Sequence, residues 1–251
     1  MERAIPNVRR AWCAAALVLA ACAGGESGPD AVPNNSALRG PIAEAESGAA
    51  RGAVAAGAGE ATVLIAGTSL TAGLGLDPSD AYPAVLERMA DSTGVPVRVV
   101  NGGLSGETSA GLLRRIGWLL REPADVVVIE TGANDGLRGV DPDSTRANLR
   151  RIVEEVRDAQ PSARVLLVQM EAPPNLGAAY TARFRGMYAE VAEETGAGLV
   201  PFLLEGIAGE SSLNQADGIH PNEEGARRAA AIVWGALRPV LDSLDRPVGG
   251  G

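Results

Sequence analysis

The chain contains a single histidine, His220, which lies in the stretch DGIHP three residues after Asp217. An imidazole can take up a proton near neutral pH, and a carboxylate at this spacing in a short loop can orient its near ring nitrogen. The far nitrogen is then available to act on a second group. The pair suggests a general base, although a lone histidine is more often a structural residue with a hydrogen-bond partner.

Three more turns combine glycine with polar side chains, and they supply Ser69, Gly106 and Asn134. A serine hydroxyl becomes a good nucleophile only when a base lies within hydrogen-bond reach, and His220 is the only imidazole in the chain. The turns are GTSLTAG at 67–73, NGGLSGET at 101–108 and TGANDG at 131–136.

Together these residue types could carry out acyl transfer. Ser69 would be the nucleophile, His220 the base and Asp217 the orienting carboxylate. The N–H of Ser69 at the start of a helix, the N–H of Gly106 and the amide of Asn134 would form an oxyanion hole. Taken singly, each has a plainer interpretation: a helix cap for Ser69, a turn for Asn134, and a loop brace for Asp217.

The elements that must position these residues alternate between strand and helix patterns. Short β-branched runs are typical of strands buried on both faces of a parallel sheet, and amphipathic helical patterns lie between them. This alternation predicts a single three-layer α/β/α domain, in which Trp118, Leu119 and Leu120 are core or sheet-packing residues. Strands are predicted at 62–67, 96–100, 124–131, 164–170 and 198–202, and helices at 80–92, 107–121, 144–159, 178–195 and 222–243.

The candidate residues follow the carboxyl ends of the predicted strands. Ligands bind at that edge of open α/β sheets, near the point where the strand order reverses. The segment EAPPNLG at 171–177 follows the fourth strand on the same side, and its two prolines suit a stiff wall over a substrate groove. Convergence on one edge favours the catalytic interpretation over the separate structural ones.

The blocks GTSLTAGLGL, NGGLSGET, TGAND and DGIHP, in this order, resemble the SGNH hydrolases, also called GDSL esterases. The similarity covers about 62–240 and is greatest to bacterial multifunctional thioesterase/lysophospholipase/arylesterase enzymes. The resemblance implies a flavodoxin-like sandwich around a five-stranded parallel sheet, and neither a metal nor an organic cofactor. It also implies family roles for the nucleophile Ser69, the oxyanion residues Gly106 and Asn134, and the pair Asp217 and His220.

One position departs from the family pattern. The first family block usually reads Gly-Asp-Ser-Leu, whereas this chain has Thr68 before Ser69. In the family that aspartate helps to order the nucleophile turn and is not a member of the triad. Threonine keeps a hydroxyl for hydrogen bonding and loses the charge. We therefore expect the reaction class to survive, with a changed rate and pH profile.

The N-terminal residues have the pattern of a bacterial export signal. A basic start precedes an apolar run at 11–20 that is too short to span a membrane. The run ends in LAAC, which resembles the lipobox and predicts lipidation of Cys22, with ordinary cleavage after an A-x-A site as the alternative. We predict a lipoprotein signal peptide at 1–21, a flexible Gly/Ala/Pro-rich linker at 22–60, the hydrolase domain at 61–245 and a disordered tail at 246–251.

Composition limits the partners. The formal net charge of −9 disfavours nucleic acid, because the phosphate backbone is also negative. Cys13 and Cys22 are the only cysteines, so no disulfide framework and no cysteine metal site are expected. The expected partners are a small ester substrate and a bacterial membrane, on its periplasmic or exterior side, through the anchor on Cys22. We expect a monomer.

The sequence thus predicts a serine hydrolase that cleaves short or medium acyl or aryl esters, with thioesters and lysophospholipids as further candidates. Two alternatives keep the same fold: a carbohydrate O-acetylesterase using the same triad, and a non-catalytic binding protein. Aromatic residues make up only 3% of the chain, which disfavours a carbohydrate surface. A nucleotide or flavin binder is disfavoured because the first turn lacks the GxGxxG and GxxxxGK[ST] phosphate loops.

Overall fold

The computed structural model of the chain describes residues 60–244. The predicted signal peptide, Cys22, the C-terminal tail and the linker apart from Glu60 lie outside the described residues. Those predictions, and the domain boundaries drawn from them, therefore stay predictions.

One five-stranded sheet forms the centre of the described region, with every neighbouring pair of strands parallel and the order β2-β1-β3-β4-β5. All five predicted strands are present. The second extends to Gly103, because Asn101 to Gly103 continue the pairing with β1 that a search for apolar runs misses. The strands are β1 (Ala61–Gly67), β2 (Val97–Gly103), β3 (Val126–Ile129), β4 (Arg164–Val168) and β5 (Gly198–Val200).

The helices lie between the strands as the periodicity predicts, and a helix does begin at Ser69. One further short helix, α4, was not predicted, because five residues are too few to show a helical period. The helices are α1 (Ser69–Ala72), α2 (Tyr82–Ser92), α3 (Ser109–Leu119), α4 (Ala133–Leu137), α5 (Pro142–Ala159), α6 (Ala178–Thr195) and α7 (Glu223–Asp242).

Helices cover both faces of the sheet. α2 packs against α7 on one face, while α3, α5 and α6 pack side by side on the other. The arrangement follows from the strand order, since β1 connects outward to β2 and the later connections run in the opposite direction. Right-handed crossovers that reverse direction place their helices on opposite faces. The three-layer α/β/α prediction is confirmed.

The core consists mainly of aliphatic side chains. Every residue of β1 and β3 is buried, as expected for central strands covered on both faces. Phe184 and Tyr188 of α6 add an edge-to-face aromatic pair with ring centroids 6.0 Å apart.

The prediction that Trp118 packs in the core is wrong. Its side chain is 63% exposed on α3, whereas Leu120 is buried and Leu119 packs at the edge of the core. Leu112 and Ile116, four residues apart, form the buried face of α3. Trp118 lies two positions after Ile116, which turns it toward the solvent side of the helix.

The direction of the connections changes between β1 and β3, which are neighbours in the sheet. The crevice that such a change opens lies beyond the carboxyl ends of these strands. The turn after β1 carries Ser69, and the segment after β3 leads into α4 with Asn134. The fold therefore brings the predicted nucleophile and the predicted oxyanion residue to one edge.

Close packing of β2 against α1 yields a stability test. A Cβ added at Gly103 would lie 2.2 Å from the backbone nitrogen of Ala72 and 2.7 Å from its Cα. We expect Gly103→Ala to lower the free energy of unfolding by about 1–3 kcal/mol, because backbone must move to accommodate it. Urea denaturation measures the change. Gly117→Ala on α3 is the control, since a Cβ there meets nothing within 4 Å. Equal stability of the two variants would contradict the packing.

Candidate active site

The loop after β5 brings His220 to the start of α1. The Nε2 atom of His220 lies 2.9 Å from the Oγ of Ser69, although the residues are 151 positions apart in the chain. The histidine side chain is 18% exposed, so solvent has limited access to the pair. A neutral imidazole in this position can accept the serine proton, which is the step that turns the hydroxyl into a nucleophile.

The other ring nitrogen of His220 faces Asp217. Nδ1 lies 2.6 Å from Oδ2 of the aspartate, and Oδ1 accepts hydrogen bonds from the backbone N–H groups of Ile219, at 2.9 Å, and His220, at 3.0 Å. These bonds, led by the one from the His220 backbone, hold the pKa of Asp217 well below its usual range. The carboxylate therefore stays ionised and favours the tautomer with the proton on Nδ1.

Thr68 fixes the turn that presents Ser69. Its backbone is extended, and its hydroxyl caps α1 by accepting from the N–H of Leu70 at 3.4 Å. A Cβ at Gly67 would lie 2.0 Å from the hydroxyl oxygen of Thr71, so only glycine allows the turn to close this tightly. The threonine that replaces the family aspartate thus keeps a polar contact in the turn that carries the predicted nucleophile.

The three predicted oxyanion donors, Ser69, Gly106 and Asn134, all line one cavity with His220. Gly106 has a φ of +78°, a backbone conformation that favours glycine. Within the described part of the chain, the N–H groups of Ser69 and Gly106 have no acceptor. Backbone donors facing a cavity without a partner can stabilise an oxygen anion there.

Polar contacts hold the loop around Gly106. The amide nitrogen of Asn134 donates one hydrogen to the carbonyl of Glu107 at 3.0 Å, which leaves its second hydrogen available. The Glu107 carboxylate is buried and pairs with Arg115 through contacts of 3.0 and 2.6 Å. Arg138 donates to the Gly106 carbonyl at 3.1 Å. These contacts fix the two donor residues relative to one another.

Gln215 ties the histidine loop to the nucleophile side of the site. Its side-chain nitrogen donates to the carbonyl of Leu74 at 2.7 Å and to that of Pro221 at 2.9 Å. Its backbone N–H donates to the carbonyl of His220 at 2.8 Å. Leu74 lies just after α1, so one side chain links the segments that carry the base and the nucleophile. Sequence inspection gave no signal for this residue.

Glu130, directly after β3, lies beneath the nucleophile turn and is fully buried. Its carboxylate accepts hydrogen bonds from the N–H of Thr68 at 2.9 Å, the hydroxyl of Thr68 at 3.0 Å and the hydroxyl of Thr71 at 2.8 Å. Burial raises its pKa to about 7, although these hydrogen bonds oppose the rise. The sequence analysis missed this residue, and the signal was a lone glutamate at the end of the apolar run VVVI.

An open cavity of about 560 Å³ begins at Ser69 and His220. Its size lies in the range of about 300–1,000 Å³ that is usual for small-molecule sites. Residues 171–174 contribute to the wall, as predicted for the proline segment. The lining is mainly apolar and includes Leu70, Leu74, Leu137, Met170, Phe202, Leu204 and Ile219.

Residues 60–244 contain no group of three or more His, Cys, Asp and Glu side chains placed to hold a metal ion. None of the helices in this range is both long enough and apolar enough to cross a membrane.

Comparison with known proteins places the chain in a family. Residues 65–228 match the model of the GDSL-like lipase/acylhydrolase family. The chain is 43% identical over 182 residues to "Esterase TesA" of Pseudomonas aeruginosa, an alignment that covers 72% of this chain and 89% of the relative. It is 37% identical over 182 residues to "Thioesterase 1/protease 1/lysophospholipase L1" of Escherichia coli strain K12, covering 72% and 85% of the two chains.

A solved structure of an esterase is also similar to this chain. The psychrotrophic esterase EstA from Pseudoalteromonas sp., in a structure inhibited by monoethylphosphonate, superposes with a TM-score of 0.69 at 33% identity. The alignment covers 73% of this chain and 100% of that structure. The chain belongs to the GDSL-like lipase/acylhydrolase family, and it is a carboxylic ester hydrolase.

The link made by Gln215 predicts a selective loss of activity. We expect Gln215→Ala to lower kcat about tenfold. The histidine loop loses its hydrogen bond to the carbonyl of Leu74, so the His220 side chain is held less precisely for proton transfer from Ser69. Gln160→Ala is the matched control, since Gln160 also donates to two carbonyls, those of Leu120 and Glu122, away from the site. Ester hydrolysis and urea denaturation compare the two. Equal effects of both variants on kcat would contradict a positioning role.

Burial of Glu130 predicts a pH-dependent stability. The pKa of Glu130 in the folded chain, about 7, exceeds that of a solvated glutamate. The contribution of the protonated side chain to the free energy of unfolding is therefore complete below the pKa of the unfolded state and is lost as the pH rises through about 7. We expect the free energy of unfolding of Glu130→Gln, relative to that of the unsubstituted chain, to rise by about 2–3 kcal/mol when the pH is raised from about 5 to about 8. Urea denaturation at both pH values measures the difference. A difference that does not change with pH would contradict the raised pKa.

Proposed function

We propose that Ser69 attacks the ester carbonyl while His220 takes its proton and Asp217 holds the imidazole in the required tautomer. The observation that carries this proposal is the continuous chain of contacts, 2.9 Å from Ser69 to His220 and 2.6 Å from His220 to Asp217. The attack forms a tetrahedral intermediate. Its collapse, with the proton passing from His220 to the leaving alcohol or thiol, gives an acyl-enzyme.

Water then completes the reaction. His220 removes a proton from a water molecule, which attacks the acyl-enzyme and forms a second tetrahedral intermediate. This intermediate collapses by breaking the bond between the acyl carbon and the Oγ of Ser69, His220 returns the proton to that oxygen, and the acid leaves. The N–H groups of Ser69 and Gly106 and the amide of Asn134 stabilise the oxygen anion in both intermediates. Their shared cavity and the two N–H groups without an acceptor support this role. Loss of one such donor typically costs about 10²–10³ in rate.

The cavity supports short or medium acyl esters and aryl esters as substrates. Its apolar lining beside Ser69 would remove a hydrocarbon chain or an aryl ring from water, which provides binding energy without a charged contact. Thioesters and lysophospholipids are further candidates. The relative from Escherichia coli carries both thioesterase and lysophospholipase in its name, and the one from Pseudomonas aeruginosa is named an esterase.

The two rival functions have less support. An O-acetylesterase acting on carbohydrate would favour aromatic platforms, and Phe202 is the only aromatic side chain among those that line this cavity. A non-catalytic binding protein would need no ordered proton path, yet Ser69, His220 and Asp217 lie in hydrogen-bond sequence.

We also propose that the chain is exported and that acylation of Cys22 attaches it to a bacterial membrane on the periplasmic or exterior side. The basic start, the apolar run and the LAAC sequence support this proposal. Two or more acyl chains hold a protein stably at a bilayer without a membrane span. We propose that the hydrolase acts as a monomer.

Hydrolysis of a p-nitrophenyl ester series, from acetate to palmitate, tests the mechanism. We expect activity to peak at one chain length, because the cavity has a finite size, and to fall at least about a thousandfold in Ser69→Ala and in His220→Ala. Ser105→Ala is the matched control for removal of a serine hydroxyl, since Ser105 is exposed in the loop after β2. Near-normal turnover in Ser69→Ala would overturn the proposal, provided that the variant unfolds at the same urea concentration as the unsubstituted chain.

A further inference from the structure

The proposed ester hydrolysis assigns no role to Glu130, whose carboxylate is buried. Glu130 is 0% exposed and lies within 3.0 Å of donors on Thr68 and Thr71, which flank Ser69 and Leu70. Removing a carboxylate from water is costly, and a buried amide or apolar side chain would avoid that cost. The position of the glutamate directly beneath the nucleophile turn points to a use in catalysis.

The hydrogen bonds around Glu130 all direct donors at its carboxylate. The N–H of Thr68 can only donate. The hydroxyl of Thr68 already accepts from the N–H of Leu70, so it has its proton free for the carboxylate. The hydroxyl of Thr71 contacts Tyr82 at 2.8 Å and donates to Glu130. An ionised carboxylate accepts from all of these groups and has no O–H of its own that would need an acceptor.

The backbone is shaped to allow this contact. A Cβ at Gly67 would lie 2.7 Å from Oε2 of Glu130, so any other residue would push the carboxylate away from the turn. Gly67 ends β1 and Glu130 follows β3, and the two strands are neighbours in the sheet. The contact is therefore built into the central pair of strands.

We propose that Glu130 is a positioning residue whose ionised carboxylate holds the Thr68–Ser69 turn so that the serine hydroxyl meets His220. This inference rests on the proposed roles of Ser69 and His220. Glu130 touches neither the substrate nor the reacting atoms and acts through the backbone and hydroxyl of Thr68. Full activity then requires two groups to be unprotonated, the imidazole of His220 and the carboxylate of Glu130.

Protonation of Glu130 would reverse part of this network. A carboxylic acid has an O–H that must itself donate, and the hydroxyl of Thr68 already accepts from the N–H of Leu70. The raised pKa of Glu130, about 7, places this change near neutral pH. Tyr82 on α2 and Tyr188 on α6 are the titratable groups that interact with it, and burial raises the pKa of both phenols well above the ordinary value, so both stay neutral.

Threonine at position 68 suits this arrangement. An aspartate there, as in the usual family block, would place a second carboxyl group beside that of Glu130. Two carboxylates in one buried site cannot both ionise near neutral pH, because like charges repel strongly there. Thr68 instead donates to Glu130 and leaves it free to carry the charge alone.

The pH profile of kcat/KM for p-nitrophenyl butyrate, measured with the full chain from about pH 5 to about pH 9, tests the inference. The reaction is followed at a wavelength where the phenol and its anion absorb equally. We expect the logarithm of kcat/KM to fall on the acidic side with a slope approaching two, because two groups must lose protons. In Glu130→Gln the slope falls to one, since the amide does not titrate. The proposal would be overturned if the acidic limbs of the Glu130→Gln profile and of the unsubstituted chain's profile superimposed.

Two further variants keep the test decisive if Glu130→Gln folds poorly. Thr71→Val removes one donor to the ionised carboxylate, and we expect the acidic limb to move up by about half to one pH unit. Asp125→Asn is the control, because that carboxylate also accepts a backbone N–H, from Thr62 at 2.8 Å, at the opposite end of the same strands. The inference would also be overturned if the acidic limb of the pH profile did not move in Thr71→Val, or if it moved equally in Asp125→Asn.

The outcomes separate this inference from the proposed mechanism. An inactive Ser69→Ala with identical acidic limbs in Glu130→Gln and the unsubstituted chain would remove only the role of Glu130. Activity that survives in Ser69→Ala would remove the proposed mechanism itself. In Glu130→Ala, which removes the acceptor altogether, we expect kcat to fall about a hundredfold with KM changed less than about threefold. A changed KM with an unchanged kcat would contradict positioning of the nucleophile.

Discussion

The 2.9 Å contact between Ser69 and His220 is the constraint on which the rest of the site depends. Two segments separated by most of the domain must meet with an accuracy of a fraction of an ångström. The parallel sheet makes this possible, because all its carboxyl ends lie at one edge and β1 is held between neighbours on both sides. Gln215 then fixes the histidine loop against the segment that follows α1. Fold and chemistry are linked through these few contacts.

The base of the site carries a second constraint, the burial of Glu130. Water solvates a carboxylate well, and the protein replaces that solvation with the donors of Thr68 and Thr71. The glutamate thereby lowers the stability of the fold above neutral pH while it orders the turn before the nucleophile. A loss of stability of this kind is common at active sites, where stability is exchanged for a fixed geometry.

Much of the fold could be predicted from the sequence, because periodicity reveals long elements. Ser69, Asp217 and His220 are predicted as a triad by type, spacing and position after strands, and the structure brings their side chains within hydrogen-bond distance of one another. Glu130 and Gln215 were missed because their roles depend on contacts across the sheet and between loops, which no local pattern records. Trp118 was misplaced because its apolar character outweighed its position on the helix. Short helices and the polar end of β2 were missed for lack of a period.

Reaction of the full chain with a fluorophosphonate, followed by peptide mapping, tests the central claim most directly. The reagent labels serine hydroxyls that a neighbouring base has activated. The account predicts a single adduct on the peptide that contains Ser69, formed at least about a thousandfold more slowly in His220→Ala. An adduct on a different residue, or equal rates in the two proteins, would contradict activation of Ser69 by His220.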